Sequence, residues 1–156
     1  MKTRWIAFSV TAVVLALPSL LLANQQASRV KTFAQELVEQ TLANHPHADE
    51  VGIAVRSSRG CRTIASTDKG DLGEACEKDD IAPMQNGKPY VEHEKDGYDV
   101  SVPLHDTEGK IIGSLGIGFK RASGQTQASA IAEATKISEE MAARITSKAK
   151  LFEPVR

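Results

Sequence analysis

Residues 98–120, YDVSVPLHDTEGKIIGSLGIGFK, restrict the fold more than any other stretch of the chain. Tyr98, Val100, Val102 and Leu104 alternate with Asp99, Ser101, Pro103 and His105, the period-two signal of a strand with one buried face. Residues 106–109 supply a turn: Asp106 bonds readily to turn backbone, and Gly109 takes positive φ without a Cβ clash. The following run, 111–119, contains no charged residue. It belongs near the middle of a sheet, because exposed edges are ordinarily guarded by charge. The stretch therefore predicts a central antiparallel hairpin, with the rest of the chain packed onto it.

The flanking pattern supplies the other elements. Over residues 28–44, Val30, Phe33, Ala34, Leu37, Val38, Thr41 and Leu42 recur at helical spacing, and His45-Pro46 ends the pattern. Short strands are expected at 51–56 and 62–66. Residues 67–88 lose the hydrophobic period and are rich in acids and glycine, with one helical piece at 78–85; such connections carry function more often than scaffolds do. A strand at 89–94 follows, and Asp96-Gly97 suits a type I′ hairpin turn. Residues 125–150 place Ala128, Ile131, Ala134, Ile137, Met141 and Ile145 on one helical stripe. The order predicts an α+β fold, a five-stranded antiparallel sheet with a long N-terminal helix and a C-terminal helix, and it resembles the PAS-like fold.

The first residues bear on the compartment. Lys2 and Arg4 precede an apolar run at 6–23, and Ala23 is a small residue suited to cleavage, so 1–23 reads as a signal peptide. An uncleaved membrane anchor is the alternative, since about 18 apolar residues is near the lower limit for a span. The expected location is periplasmic or secreted, with a ligand-binding domain at 24–124 and a C-terminal amphipathic helix and tail at 125–156. Formal net charge is −1, and aromatic residues make up 4%. Neither a basic footprint nor a set of stacking rings points to nucleic acid.

Specific words sharpen the resemblance. Ala65-Ser66, the acidic stretch from Asp71 to Gly73, Asp79-Asp80, GKPYVE from Gly87, and VPLHDTEGKIIGSLGIGF from Val102 together resemble the extracellular single Cache domain. That resemblance implies a sensor that binds a small molecule and signals through a separate, membrane-bound partner; a homodimer through the N-terminal helix is a further expectation. Gly113, Gly116 and Gly118 agree independently, because glycines inside a strand mark close approach of a ligand or another backbone. The two explanations, a ligand or the N-terminal helix, stand level at this stage. Arg56 and Arg62 are candidates to clamp a carboxylate, with Tyr90, His93, Tyr98 and Lys120 as further lining, which makes the expected ligand a small anionic metabolite. For each residue alone, a rim or core role is the plainer reading.

Cys61 and Cys76 are the only cysteines. In an exported chain an even pair favours a disulfide, and a redox-responsive thiol pair is the sharper alternative. His45 and His47, beside Asp49 and Glu50, have the chemistry of a divalent-metal site, although a solvated loop explains them as well. A periplasmic redox- or metal-binding protein is thus the alternative function. No GxSxG or HExxH occurs, so the chain is read as a non-enzyme, without cofactor or bound metal.

Overall fold

The structure is a computed structural model that describes residues 30–120 and 125–155. Its elements are α1 (Phe33–Asn44), β1 (Ala48–Ser57), β2 (Gly60–Ser66), α2 (Lys78–Asn86), β3 (Tyr90–Glu94), β4 (Gly97–His105), β5 (Ile111–Lys120), α3 (Gln127–Ala142) and a 3-10 turn at Lys148–Phe152. The expected signal peptide and the first two residues of the expected N-terminal helix lie outside the described residues. The strands form one antiparallel sheet in the order β2-β1-β5-β4-β3. The uncharged run thus occupies the central strand, paired on both edges.

Strand alternation gives the sheet two unlike faces. Val51, Ile53, Val55, Val100, Val102, Leu104, Leu115, Ile117 and Phe119 point to one side and are buried with Leu37, Val38, Ala134, Ile137 and Met141 from α1 and α3. Burying each large side chain there stabilises the fold by about 1.5–3 kcal/mol, which makes this layer the core. The apolar stripe of α1 is consumed in it. On the opposite face α2 packs against β5, β4 and β3. Among the described residues no helix is long and apolar enough to cross a membrane.

Local chemistry sets the ends. Thr32 Oγ1 accepts from the Gln35 backbone N–H at 3.2 Å, capping α1. Gly87 ends α2 in the left-handed region at φ 67°. Two expectations are corrected. The β3–β4 hairpin turns at Lys95-Asp96, since Glu94 pairs with Gly97, and among the described residues positive φ occurs only at Gly60, Gly73, Gly87 and Gly109. Gly97 serves another purpose: a Cβ there would lie 1.9 Å from the Phe119 carbonyl oxygen. The C-terminal helix stops at Ala142 rather than near residue 150. There the chain turns so that Ile145 is buried and its carbonyl accepts from Thr107 N–H at 2.9 Å.

Cys61 and Cys76 are joined, with Cα atoms 5.3 Å apart. The bond fastens β2 to the 67–77 connection. Hydrogen bonds reinforce it: Thr63 N–H donates to Glu74 O at 3.1 Å and Cys76 N–H to Cys61 O at 3.2 Å.

Candidate functional site

The face away from α1 and α3 has a floor of small residues arranged in rows. Across the sheet, Asp99, Gly118 and Glu50 form one row, Ser101, Gly116 and Gly52 the next, and Pro103, Ser114 and Ala54 a third. Gly52, Gly116 and Gly118 are therefore not seats for the N-terminal helix. A Cβ on Gly116 would meet nothing closer than Ser101 Oγ at 3.7 Å, so its surroundings are open. Gly113 differs: it points to the helix-covered face, and a Cβ there would lie 2.5 Å from the Ala54 carbonyl.

Over this floor lies a cleft of about 160 Å³, walled by the 67–77 connection and the start of α2. Seven carboxylates line it: Glu50, Asp71, Glu74, Glu77, Asp79, Asp80 and Asp99. No Lys, Arg or His is among the lining residues. Like charges gathered with partial loss of water disfavour ionisation. Desolvation, followed by hydrogen bonding and repulsion from Asp71, pushes Glu50 up to about 7. Desolvation, followed by repulsion from Asp79 and Glu92, pushes Asp99 up to about 6. Asp80 is raised chiefly by desolvation and then by Asp79, although it accepts from the Glu77 backbone N–H at 3.2 Å and from Ser114 Oγ at 3.4 Å.

A hydrogen-bond path leaves the cleft toward α1. Ser66 Oγ donates to Asp71 Oδ2 at 3.2 Å and accepts from Asp68 N–H at 3.0 Å. The Ser66 backbone is held by one side chain of α1: Gln35 Nε2 donates to Ser66 O at 2.8 Å, and Ser66 N–H donates to Gln35 Oε1 at 3.3 Å. Ser66 is 3% exposed, and its bonds to Gln35 and Asp71 are half-buried.

None of the six residues expected to bind ligand lines the acid cleft. Arg56 lies farther along the same face, beside a separate cavity of about 560 Å³. Arg62 Nη1 donates to Gly73 O at 2.9 Å and so pins the connection. Tyr90 sits under the Lys78 ammonium, 5.4 Å from its ring centroid. His93 and Tyr98 are brought together, with ring centroids 5.3 Å apart, and His93 Nε2 contacts Gln127 Oε1 at 2.9 Å. Tyr98 belongs to the helix-covered core. Lys120 Nζ lies 3.8 Å from Asp49 Oδ2. His45 and His47 face Glu140 and Glu133 of α3, at 3.2 and 3.4 Å. Glu50 and Asp99 were missed as site residues; their signal was a charged residue whose cross-strand neighbour, Gly118, has no side chain to cover it.

No family model and no curated protein matches the sequence. Solved structures do match. The C-terminal domain of the E. coli transcriptional regulator KdgR aligns at 11% identity and TM-score 0.53, over 73% of this chain and 96% of that one. The type II free methionine-R-sulfoxide reductase from Thermoplasma acidophilum aligns at 17% identity and TM-score 0.51, over 78% and 93%. The GAF domain of a two-component sensor histidine kinase from Bacillus halodurans aligns at 15% identity and TM-score 0.50, over 70% and 91%. At such identities the likeness is one of fold. The chain has a GAF/PAS-like α+β fold, in agreement with the order of elements read from the sequence.

Proposed function

We propose that this chain is an exported sensor domain whose acid cleft binds a small organic cation, an ammonium or guanidinium compound, and reports its occupancy to a separate membrane-bound partner. The observation that carries the ligand class is the cleft lining: seven carboxylates over a glycine floor with no cation among them. A bound cation relieves their mutual repulsion, whereas the anionic metabolite expected from the sequence meets it in full. The fold supports the sensor class, since one matching structure is the GAF domain of a sensor histidine kinase. The narrower Cache reading rests on the sequence words around Ala65-Ser66, Asp79-Asp80 and residues 102–119. We read the chain as a binding module because the cleft offers charge capture, and among the described residues no cysteine thiol is free.

Signalling would proceed by population shift. A cation seated between Asp99 on the sheet and Asp71 on the connection favours a closed connection, and Asp71 is tied through Ser66 to Gln35 of α1. The cleft and the N-terminal helix therefore share one hydrogen-bonded path, and a homodimer or membrane partner engaging α1 would sense its state.

Isothermal titration of the purified protein with guanidinium, propylamine and propionate tests the ligand class. Guanidinium or propylamine should bind saturably, weaken about tenfold in Asp99→Asn, and release protons on binding near neutral pH, because a cation lowers the raised carboxyl pKa values. Absence of saturable binding by either cation, or binding indifferent to both Asp99→Asn and Asp80→Asn, would sink the proposal.

A further inference from the structure

We infer that a second cavity, at the other end of the same sheet face, takes a carboxylate carrying an apolar body. The end of β1, the β4–β5 turn, the start of β5, α2 and residues 146–149 together border a half-open cavity of about 560 Å³. That volume falls within the range of small-molecule sites, about 300–1,000 Å³. This inference stands independently of the cation reading of the acid cleft.

The charges around the cavity are not equally available. Asp106 is 7% exposed, and its Oδ1 accepts from the Glu108 and Lys110 backbone N–H groups at 3.1 and 3.0 Å, so it serves the turn. Glu108 is exposed on that turn. Arg56, Lys110 and Lys148 contribute three cations to the lining. Lys148 Nζ donates to the Arg56 carbonyl, which anchors the segment after α3 to the end of β1. Neither the Arg56 guanidinium nor the Lys110 ammonium has an ion-pair partner among the described residues.

The remaining lining mixes apolar side chains, Met84 from α2 with Ile111 and Ile112 from β5, with the hydroxyl residues Thr146 and Ser147 of the segment after α3. A planar guanidinium fork matches a carboxylate in bidentate geometry, and Lys110 adds a point charge beside it. An inorganic anion would satisfy the cations and leave the apolar wall wet, whereas an alcohol would do the reverse. A monocarboxylate with a short alkyl chain satisfies both. The two ends of this sheet face therefore differ in charge, with carboxylates alone at the Glu50 and Gly118 end, three cations beside Asp106 and Glu108 at the Arg56 and Ile112 end, and the uncharged Ala54 and Ser114 pair between them.

The test is a titration of the purified protein with hexanoate, with hexan-1-ol and inorganic phosphate as comparisons, followed by backbone amide chemical shifts. Hexanoate should saturate and move the amides of Ile111, Ile112, Gly113 and residues 146–149. Both comparison compounds should bind at least about tenfold more weakly, and Arg56→Gln and Lys110→Gln should each weaken hexanoate about tenfold. Asp99→Asn, in the acid cleft, should leave hexanoate binding unchanged. Lys110 is exposed on a turn, so Lys110→Gln reads out binding even if Arg56→Gln perturbs the fold. The inference is overturned by a failure to saturate, by equal affinity for hexan-1-ol or phosphate, by insensitivity to both cation variants, or by a dependence on Asp99.

Discussion

On the helix-covered side of the sheet β5 presents Leu115, Ile117 and Phe119, none more than 2% exposed. One residue out of step, the same strand presents Ser114, Gly116 and Gly118 to the side where the acid cleft lies. The first face excludes water and supplies most of the apolar burial. The second gathers carboxylates, and loss of water, reinforced by repulsion from neighbouring acids, raises the pKa of Glu50, Asp80 and Asp99. A period of two lets a single strand build a core and a binding floor at once, with each face answering to a different force.

The largest expected effect contrasts neighbours on β5. Leu115→Ala should cost about 2–5 kcal/mol in urea unfolding, because it empties a closed core. Gly116→Ala should cost less than about 1 kcal/mol, since its Cβ meets only Ser101 Oγ at ordinary contact distance. Equal costs for the two would break the two-face description.

Next in size is the disulfide. Cys61 and Cys76 stand 15 residues apart, and replacing both by alanine should lower stability by about 3 kcal/mol. Hydrogen exchange should quicken first in residues 67–77, while the amides of Leu37 and Ile137 on the core side keep their relative protection. Uniform quickening would mean that the acid face and the core unfold as one unit.

The smallest effect is the dependence on pH. Raised carboxyl pKa values mean that the folded protein holds protons the unfolded chain has released. For Glu50 and Asp99 that stability is fully present below their ordinary values of 4.5 and 3.8, and is lost as pH rises through about 7 and about 6. Unfolding free energy should thus be higher near pH 5 than near pH 8, by about 1–2 kcal/mol after allowing for solvent screening. Asp99→Asn should flatten the slope and stabilise the protein at the alkaline end. An unchanged slope in that variant would remove Asp99 as its source.

Much of the fold was legible because it depends on pattern. The alternation at Tyr98, Val100, Val102 and Leu104, the uncharged run after Gly109, and the stripe carrying Leu37 and Val38 report burial directly. The disulfide was legible from a paired count in a chain with a signal-like start. The site was less so. Arg56 and Arg62 carry the chemistry to clamp an anion, yet Arg62 is spent on the Gly73 carbonyl and Arg56 lies at the far end of the face. Asp79-Asp80 entered the sequence reading only through the family resemblance, but the fold sets both in one cleft with Asp99.

By itself, then, the sequence determined which residues alternate, which strand is central and which acids are plentiful. Those are local properties, set by side-chain period and by the aversion of apolar groups to water. The tertiary structure alone decided that Glu50, Asp71, Asp80 and Asp99, drawn from β1, the connection, α2 and β4, share one cleft. It also decided that Arg56 lines one cavity with Lys110 and not with Arg62. Electrostatic interaction depends on distance in space, and sheet register and the course of a long connection set that distance without leaving a period in the chain.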